Sequence, residues 1–108
     1  MKNYLCIESQ GAFEAAGTAH FLSLARDLKK QGNGVEVLLI QNGVIGARAE
    51  AKSEGLGELI QAGIPVWADD FSMRERALAS ANLKRGIRPA PIATVIERMA
   101  TGWNVLWH

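Results

Sequence analysis

The feature that most constrains the fold is the alternation along the chain between short apolar runs and segments with helical periodicity. Short runs rich in Val, Leu and Ile are typical of buried strands, and apolar residues spaced three and four apart predict helices that pack on them. Strands joined through helices run parallel. We therefore predict an α/β fold with a mostly parallel sheet of about five strands and helices on both faces. The predicted strands are Asn3 to Glu8, Val35 to Ile40, Ile64 to Ala68, a short segment around Gly86 and Ile87, and Trp103 to Trp107.

Two helices are predicted in the first half of the chain. The first runs from Thr18 to Gln31 and is stopped by Gly32. Its apolar face consists of Phe21, Leu24, Ala25 and Leu28. The second contains Leu56, Leu59 and Ile60 and ends near Gly63, where a glycine cap falls. Between strand two and this helix, the alanine-rich stretch from Val44 to Glu54 predicts a loop and a frayed helix, because it offers little apolar bulk for docking.

Two further helices are predicted in the second half. The sequence from Ser72 to Glu75 fits a capping box, which predicts a helix from about Met73 to Ala81. Pro91 suits the first turn of the last helix, which ends at Gly102. The residues predicted to form the buried face of that helix are Ile92, Val95, Ile96 and Met99.

Length and composition limit the classes of protein that fit. Residues 1–108 are enough for one domain. The net charge is +1 and the sequence has no long basic run, so we expect no nucleic-acid binding. No apolar run reaches the roughly 18 residues of a membrane-spanning helix, and we expect no secretory signal because Met1 to Asn3 lead directly into a predicted strand. We expect no membrane insertion and a cytoplasmic location. A single cysteine excludes an intramolecular disulfide.

Three loops follow predicted strands and would meet at one edge of the sheet, where open parallel sheets bind ligands. They are Ser9 to Glu14, Gln41 to Gly46 and Asp69 to Ser72. The residues in them with side chains suited to binding are Ser9, Asn42, Asp69, Asp70 and Ser72.

Asp69 and Asp70 are the sharpest local feature of these loops. Two adjacent carboxylates at a strand end are able to hold a cation, act as a base or anchor an arginine of a partner. The alternative is structural: Asp70 or Ser72 caps the next helix and Asp69 is solvated. We assign no catalytic or metal-ligating residue from the sequence. Gly55-Leu56-Gly57 does not complete a nucleotide-binding fingerprint, so no cofactor is expected.

Cysteine, histidine and tryptophan add few constraints. Cys6 lies within a buried strand, where a thiol behaves as a small apolar side chain. His20 and His108 have no nucleophile or ligand spacing in the sequence, so both are interpreted as incidental. Trp103 and Trp107 share one strand face and belong either to the core or to a subunit interface.

Three segments together resemble the DsrE/DsrF-like proteins of sulfur relay. They are the helix from Phe21 to Gln31, the strand and turn from Gly34 to Val44, and the segment from Leu59 to Trp67. The turn Asn42-Gly43-Val44 is the most telling piece, and the likeness extends through Val95 to Met99 and the closing strand. The resemblance implies a single DsrE-like domain that assembles as a homo-oligomer, a trimer or a hexamer, with a sulfur-carrier protein as a partner.

The family members that transfer sulfur carry a cysteine near the end of the third strand. Here the matching position is Asp69, or Ala68 if the alignment slips by one residue. Neither side chain carries sulfane sulfur, so the resemblance implies a noncatalytic subunit that binds a ligand or a partner. Two alternatives stay open: an enzyme or metal-dependent site that uses Asp69 and Asp70, and persulfide carriage by Cys6. A phosphoacceptor like that of response-regulator receivers is weaker, because strand one supplies only Glu8.

Overall fold

The computed structural model describes residues 1–11, 15–52 and 54–108. In this part of the chain five strands and four α-helices alternate, which confirms the predicted α/β class. The strands are β1 (Asn3–Glu8), β2 (Gly34–Leu39), β3 (Val66–Asp69), β4 (Ile87–Ala90) and β5 (Asn104–Trp107). The helices are α1 (Gly17–Lys30), α2 (Glu54–Gln61), α3 (Asp70–Glu75) and α4 (Ala93–Ala100).

All the strand pairs in the described chain are parallel, and the strand order is β4-β3-β2-β1-β5. β1 and β2 pair along their full lengths, from Asn3 opposite Gly34 to Glu8 opposite Leu39. β5 pairs with the other side of β1, so the chain returns across the sheet to place its last strand beside its first. β4 lies at an end of the sheet, where Pro89 is tolerated because one side of an edge strand makes no ladder hydrogen bonds.

The two faces of the sheet are covered unequally. Alternate residues of each strand point to opposite faces. One face carries Cys6 and Val37 and is covered by α1, α2 and the region around Met73. The other carries Leu5, Ile7 and Leu38 and is covered by α4 through Val95, with Trp67 and Trp103 packed beside it. We call these the thick face and the thin face.

The segment between β2 and α2 begins as a 3₁₀ helix, Gln41–Ala47, where a loop and a frayed helix were expected. Its start is fixed by the close approach of Gly43 to the carbonyl of Glu8, which leaves no room for a Cβ atom. Position 53, within the predicted stretch from Val44 to Glu54, lies outside the described residues. So do positions 12–14 of the predicted loop from Ser9 to Glu14.

The predicted helix from Met73 to Ala81 is wrong at both ends. α3 begins at Asp70 and ends at Glu75, and Ser72 lies inside it, because Asp69 rather than Ser72 caps it. Ala77, with φ 53°, breaks the helical path. The capping-box pattern at Ser72 is thus present in the sequence without acting as the cap.

The predicted buried face of the last helix is also wrong in most of its residues. Val95 packs on the thin face, but Ile92, Ile96 and Met99 are 53%, 67% and 60% exposed. Among the described residues α4 is the one helix on the thin face, so no second layer of the described chain buries its outer side. In α1, Leu24 is likewise exposed, while Leu22 is buried.

No helix among the described residues has the length and apolar character needed to cross a membrane.

Candidate functional site

The carboxyl ends of the parallel strands lie along one edge of the sheet, which we call the carboxyl edge. β1 ends there at Glu8, β2 at Leu39 and β3 at Asp69. Open parallel sheets bind ligands at this edge, next to the strand where the strand order reverses. That strand is β1, since β2 and β5 flank it. The candidate site therefore lies around the ends of β1, β2 and β5, and the end of β3 follows next to β2 along the same edge.

A hydrogen-bonded network closes the end of β3. Asp69 is 5% exposed, and its Oδ2 accepts hydrogen bonds from the Ser72 backbone N–H at 3.0 Å and the Ser72 hydroxyl at 2.6 Å. The Ser72 Oγ in turn accepts from the backbone N–H of Gln41 at 2.7 Å. Gln41 has φ 50°, a left-handed conformation that costs a non-glycine residue about 1 kcal/mol. Asp69 and Ser72 thus hold the strained start of the segment that follows β2.

Asn42 joins the same network through Arg76. Its Oδ1 accepts hydrogen bonds from Arg76 Nε at 3.1 Å and from Nη2 at 2.8 Å. Arg76 Nη1 also donates to the Ser72 carbonyl at 3.3 Å. The structure therefore brings three of the predicted site residues, Asn42, Asp69 and Ser72, into one cluster.

Asp70 and Ser9 lie outside that cluster. Asp70 Oδ1 lies 3.8 Å from Arg74 Nη1, one helical turn further along. Ser9 donates to the His108 carbonyl from both its hydroxyl, at 2.8 Å, and its backbone N–H, at 2.9 Å. Ser9 therefore ties the ends of β1 and β5 together.

The adjacent carboxylates of Asp69 and Asp70 have separate partners. The predicted structural alternative, with Asp69 solvated and Asp70 or Ser72 as the cap, is wrong because the buried Asp69 is the cap. Asp69 Oδ1 is buried and has no hydrogen-bond partner in the described chain. Within residues 1–11, 15–52 and 54–108, no group of three or more His, Cys, Asp and Glu side chains is placed to hold a metal ion.

A second polar cluster joins Glu8 to His108. Glu8 is 1% exposed, and His108 Nδ1 lies 2.9 Å from Oε1 and 3.0 Å from Oε2. The backbone N–H of Gln10 donates to Oε2 at 3.1 Å. An ionised carboxylate only accepts hydrogen bonds, so with Glu8 ionised it is Nδ1 that carries a proton. The imidazole stacks on Phe21 with centroids 5.4 Å apart, and its Nε2 lies so near Gly17 that an added Cβ would come within 2.7 Å.

Glu8 also lines a cavity of about 240 Å³ between the thick face, α1, α2 and the 3₁₀ segment. Most of its lining is apolar, and Glu8 and Lys52 are the charged residues among the described lining. The other lining residues are Gln10, Gly11, Thr18, Leu22, Leu39, Asn42, Gly43, Ile45, Gly46, Ala51 and Leu56.

The interpretation of His108 as incidental is wrong, because its imidazole pairs with the buried Glu8. Period-two alternation does place Glu8 on the same face as Cys6, and an acidic residue closing a buried run is a usable signal. The pairing with His108, 100 residues away, follows only once β5 is known to lie beside β1.

Cys6, the one thiol of the chain, lies in the middle of β1 and is 0% exposed. Burial raises the pKa of its thiol from 9.0 to about 11. A thiolate is the nucleophile in sulfur chemistry, so the folded state holds Cys6 in its unreactive form.

Comparison with known proteins identifies the fold. No protein-family model and no curated protein sequence matches the chain. Among solved structures, the ychN protein from E. coli superposes with a TM-score of 0.90 at 15% identity, covering 100% of both chains. MTH1491 from Methanobacterium thermoautotrophicum, a protein of unknown function, gives 0.84 at 18% identity over 99% of this chain and 98% of its own. BT1422 from Bacteroides thetaiotaomicron, a conserved protein of unknown function, gives 0.71 at 19% identity over 98% and 95%.

These similarities define a class of small α/β proteins with a five-stranded parallel sheet. At such identities they establish the shared fold alone.

Proposed function

We propose that this chain is a DsrE/DsrF-like protein of the sulfur-relay type that acts as a noncatalytic subunit, binding a ligand or a partner without carrying sulfur itself. It works in the cytoplasm as a homo-oligomer, a trimer or a hexamer, with a sulfur-carrier protein as its partner. The resemblance of the segments around Asn42-Gly43-Val44 and Leu59 to Trp67 supports the family, and the shared fold is consistent with it.

The burial of Cys6 is the observation that carries the noncatalytic part of the proposal. A sulfur carrier needs an accessible thiolate, whereas this thiol is fully buried and its pKa is raised. At the end of β3 the side chain is the carboxylate of Asp69, held by Ser72. A carboxylate in that position accepts hydrogen bonds and forms no persulfide.

The outer side of α4 supports self-association. Ile92, Ile96 and Met99 follow one another at spacings of four and three residues, so they form one exposed apolar stripe. Contiguous exposed apolar surface marks interaction sites in soluble proteins. In the same helix Arg98 turns toward the sheet and pairs with Glu36 at 3.0 Å.

A second copy of this chain is the partner that suits the stripe. Identical residues meet across a two-fold axis and around a three-fold axis, and an uncharged stripe placed there avoids the repulsion of like charges.

Sulfur loading tests the noncatalytic role. The native protein is incubated with a low-molecular-weight persulfide, and its intact mass is measured before and after unfolding in urea. We expect no added sulfur in the native state and one added sulfur atom after unfolding, because unfolding exposes Cys6. Cys6→Ala serves as the control and gains none in either state. A sulfur atom on native Cys6 would overturn the proposal and favour persulfide carriage.

A metal-dependent site at Asp69 and Asp70 is the second candidate function. The buried Asp69 Oδ1 without a hydrogen-bond partner in the described chain favours it. Titration of the protein with Mg²⁺ or Ca²⁺ by calorimetry tests this candidate. Binding heat that disappears in Asp69→Asn would support it, whereas no heat and an unchanged melting temperature would remove it.

A further inference from the structure

We propose that the cavity beside Glu8 binds a small molecule with an apolar body and a protonated amine, and that the amine contacts the Glu8 carboxylate. The inference does not depend on the sulfur-relay proposal, because it uses neither Asp69 nor Cys6. It rests on a buried carboxylate that is fixed in place, retains acceptor capacity and belongs to a residue lining an apolar cavity.

The carboxylate of Glu8 is held rigidly. At 1% exposure it accepts from the Gln10 N–H and from His108 Nδ1, and the His108 ring is itself fixed between Phe21 and Gly17. A binding group whose position is set before the ligand arrives loses little conformational entropy on binding.

The same carboxylate has acceptor capacity left over. An ionised carboxylate offers about four lone-pair positions, and the described structure supplies two N–H donors, with His108 Nδ1 shared between the two oxygens. Because a carboxylate cannot donate, the ligand group that meets it has to be a hydrogen-bond donor. This requirement excludes carboxylate and other anionic head groups at the Glu8 position.

The walls of the cavity determine the body of the ligand. Leu22, Leu39, Ile45 and Leu56 supply apolar surface, and Gly43 lets the 3₁₀ segment approach the end of β1 closely. Cavities for drug-sized ligands are roughly 300 to 1,000 Å³, so about 240 Å³ suits a smaller molecule. An aliphatic or aromatic chain of a few carbons fits these dimensions.

Charge favours an amine over a hydroxyl as the donor. Lys52, the other charged residue of the described lining, is exposed and makes no ion pair with Glu8, whose ion-pair partner His108 is not among the described lining residues. An alcohol and an amine both donate a charge-assisted hydrogen bond to a carboxylate, and a protonated amine adds the Coulomb attraction between opposite charges. A protonated amine therefore gains more at Glu8 than an alcohol of the same length.

Calorimetry with three matched probes tests the inference: n-hexylamine, n-hexanol and sodium hexanoate, each titrated into the full chain at neutral pH. They share one apolar body and differ in the head group. We expect n-hexylamine to bind about tenfold or more tighter than n-hexanol, because its ammonium adds an ion pair to the hydrogen bond that both probes donate to Glu8. Sodium hexanoate should not bind.

Three variants locate the binding. Glu8→Gln should abolish the preference for the amine over the alcohol, and Ile45→Trp, which fills the cavity from a half-exposed position, should abolish binding of both. Glu97→Gln removes an exposed carboxylate on α4 and should change nothing. If Glu8→Gln fails to fold, Ile45→Trp still tests whether the amine binds in the cavity, and the three probes still test whether an amine is preferred.

Several outcomes would overturn the inference: no binding of n-hexylamine at millimolar concentration, equal affinities for the amine and the alcohol, tighter binding of hexanoate, or amine binding that survives Ile45→Trp. None of them bears on sulfur loading, so the failure of this inference and the failure of the proposed function are distinguishable.

Discussion

Asp69 links three backbone segments although it makes few contacts of its own. Its carboxylate caps α3 through the Ser72 N–H and orients the Ser72 hydroxyl, which accepts from the N–H of Gln41. The left-handed conformation of Gln41 thus depends on a side chain 28 positions further along the chain. Removing the carboxylate affects the cap and the strained turn together.

Asp69→Ala should lower the free energy of unfolding by about 2 kcal/mol, since a helix cap contributes about 1 kcal/mol and a buried hydroxyl loses a partner. Asp70→Ala is the matched control, because it removes the neighbouring carboxylate, which pairs with Arg74 near the surface. We expect its cost to stay below about 1 kcal/mol. Urea denaturation measures both, and equal losses in the two variants would contradict this account.

Cys6 should make stability depend on pH in the alkaline range. Its pKa is 9.0 in an ordinary environment and about 11 in the fold, so between pH 9 and pH 11 the unfolded state loses the thiol proton first. The contribution of the neutral thiol to the free energy of unfolding is complete below pH 9. It is lost as the pH rises through this window, by about 3 kcal/mol in all.

Urea denaturation of the wild type and Cys6→Ala at pH 8 and pH 11 isolates the thiol from other groups that titrate in that range. We expect the difference in unfolding free energy between the two proteins to shrink as the pH rises. A difference that stays constant with pH would contradict the buried, neutral thiol.

Among the elements, the strands and the carboxyl edge of the sheet were predictable from the sequence. The segments that connect the strands were less predictable. Apolar runs such as Val35 to Ile40 have few alternatives to a buried strand. α3 was misplaced because two capping signals, Asp69 and Ser72, lie three residues apart, and the choice between them depends on the contact of Ser72 with Gln41. That contact joins distant parts of the chain, which local patterns do not encode.

The 3₁₀ segment and α2 give a matched pair of glycine predictions. A Cβ atom at Gly43 would clash with the backbone carbonyl of Glu8, whereas a Cβ atom at Gly57 in α2 would meet nothing within 4 Å. Gly43→Ala should therefore destabilise the protein by about 1 to 3 kcal/mol through a forced backbone shift. Gly57→Ala should stabilise it by about 0.5 to 1 kcal/mol through helix propensity.

Thermal unfolding of the two glycine variants and the wild type shows directly whether each substitution stabilises or destabilises the protein. Opposite shifts in melting temperature are the expected result. A stabilising Gly43→Ala would mean that the 3₁₀ segment does not lie against the end of β1 as described.

For α4, periodicity identified the helix correctly and its environment incorrectly. The spacing of Ile92, Val95, Ile96 and Met99 predicts one apolar side, but it does not distinguish burial within the chain from burial against another one. In the structure Val95 faces the sheet and the other three face outward. The error in the predicted core is thus the observation that supports self-association.

Ile96→Glu should weaken the oligomer while leaving the fold of each subunit intact, because Ile96 is 67% exposed. A charge in a symmetric interface meets its own copy and is repelled. Glutamate at the neighbouring exposed position 97 is already present, and Glu97→Gln provides the control without a new charge. Circular dichroism checks the fold of both variants, and light scattering measures their mass.

At the scale of the whole molecule, the unequal faces of the sheet relate fold to function. In the described chain α1, α2 and the region around Met73 cover the thick face, where the Glu8 cavity lies, whereas α4 is the one helix on the thin face and leaves an apolar stripe exposed. The class of fold followed from the alternation of elements, but the Glu8 and His108 pair depended on the return of β5 to β1. At the carboxyl edge, the cluster around Asn42 and Asp69 was predictable from the sequence, whereas the pair of Glu8 and His108 was not.

The solution mass of the intact chain, measured by size exclusion with light scattering, tests the central claim that this is an oligomeric binding subunit. We expect three or six times the 11.7 kDa of one chain for the wild type and a lower mass for Ile96→Glu. A wild-type monomer at micromolar concentration would contradict it.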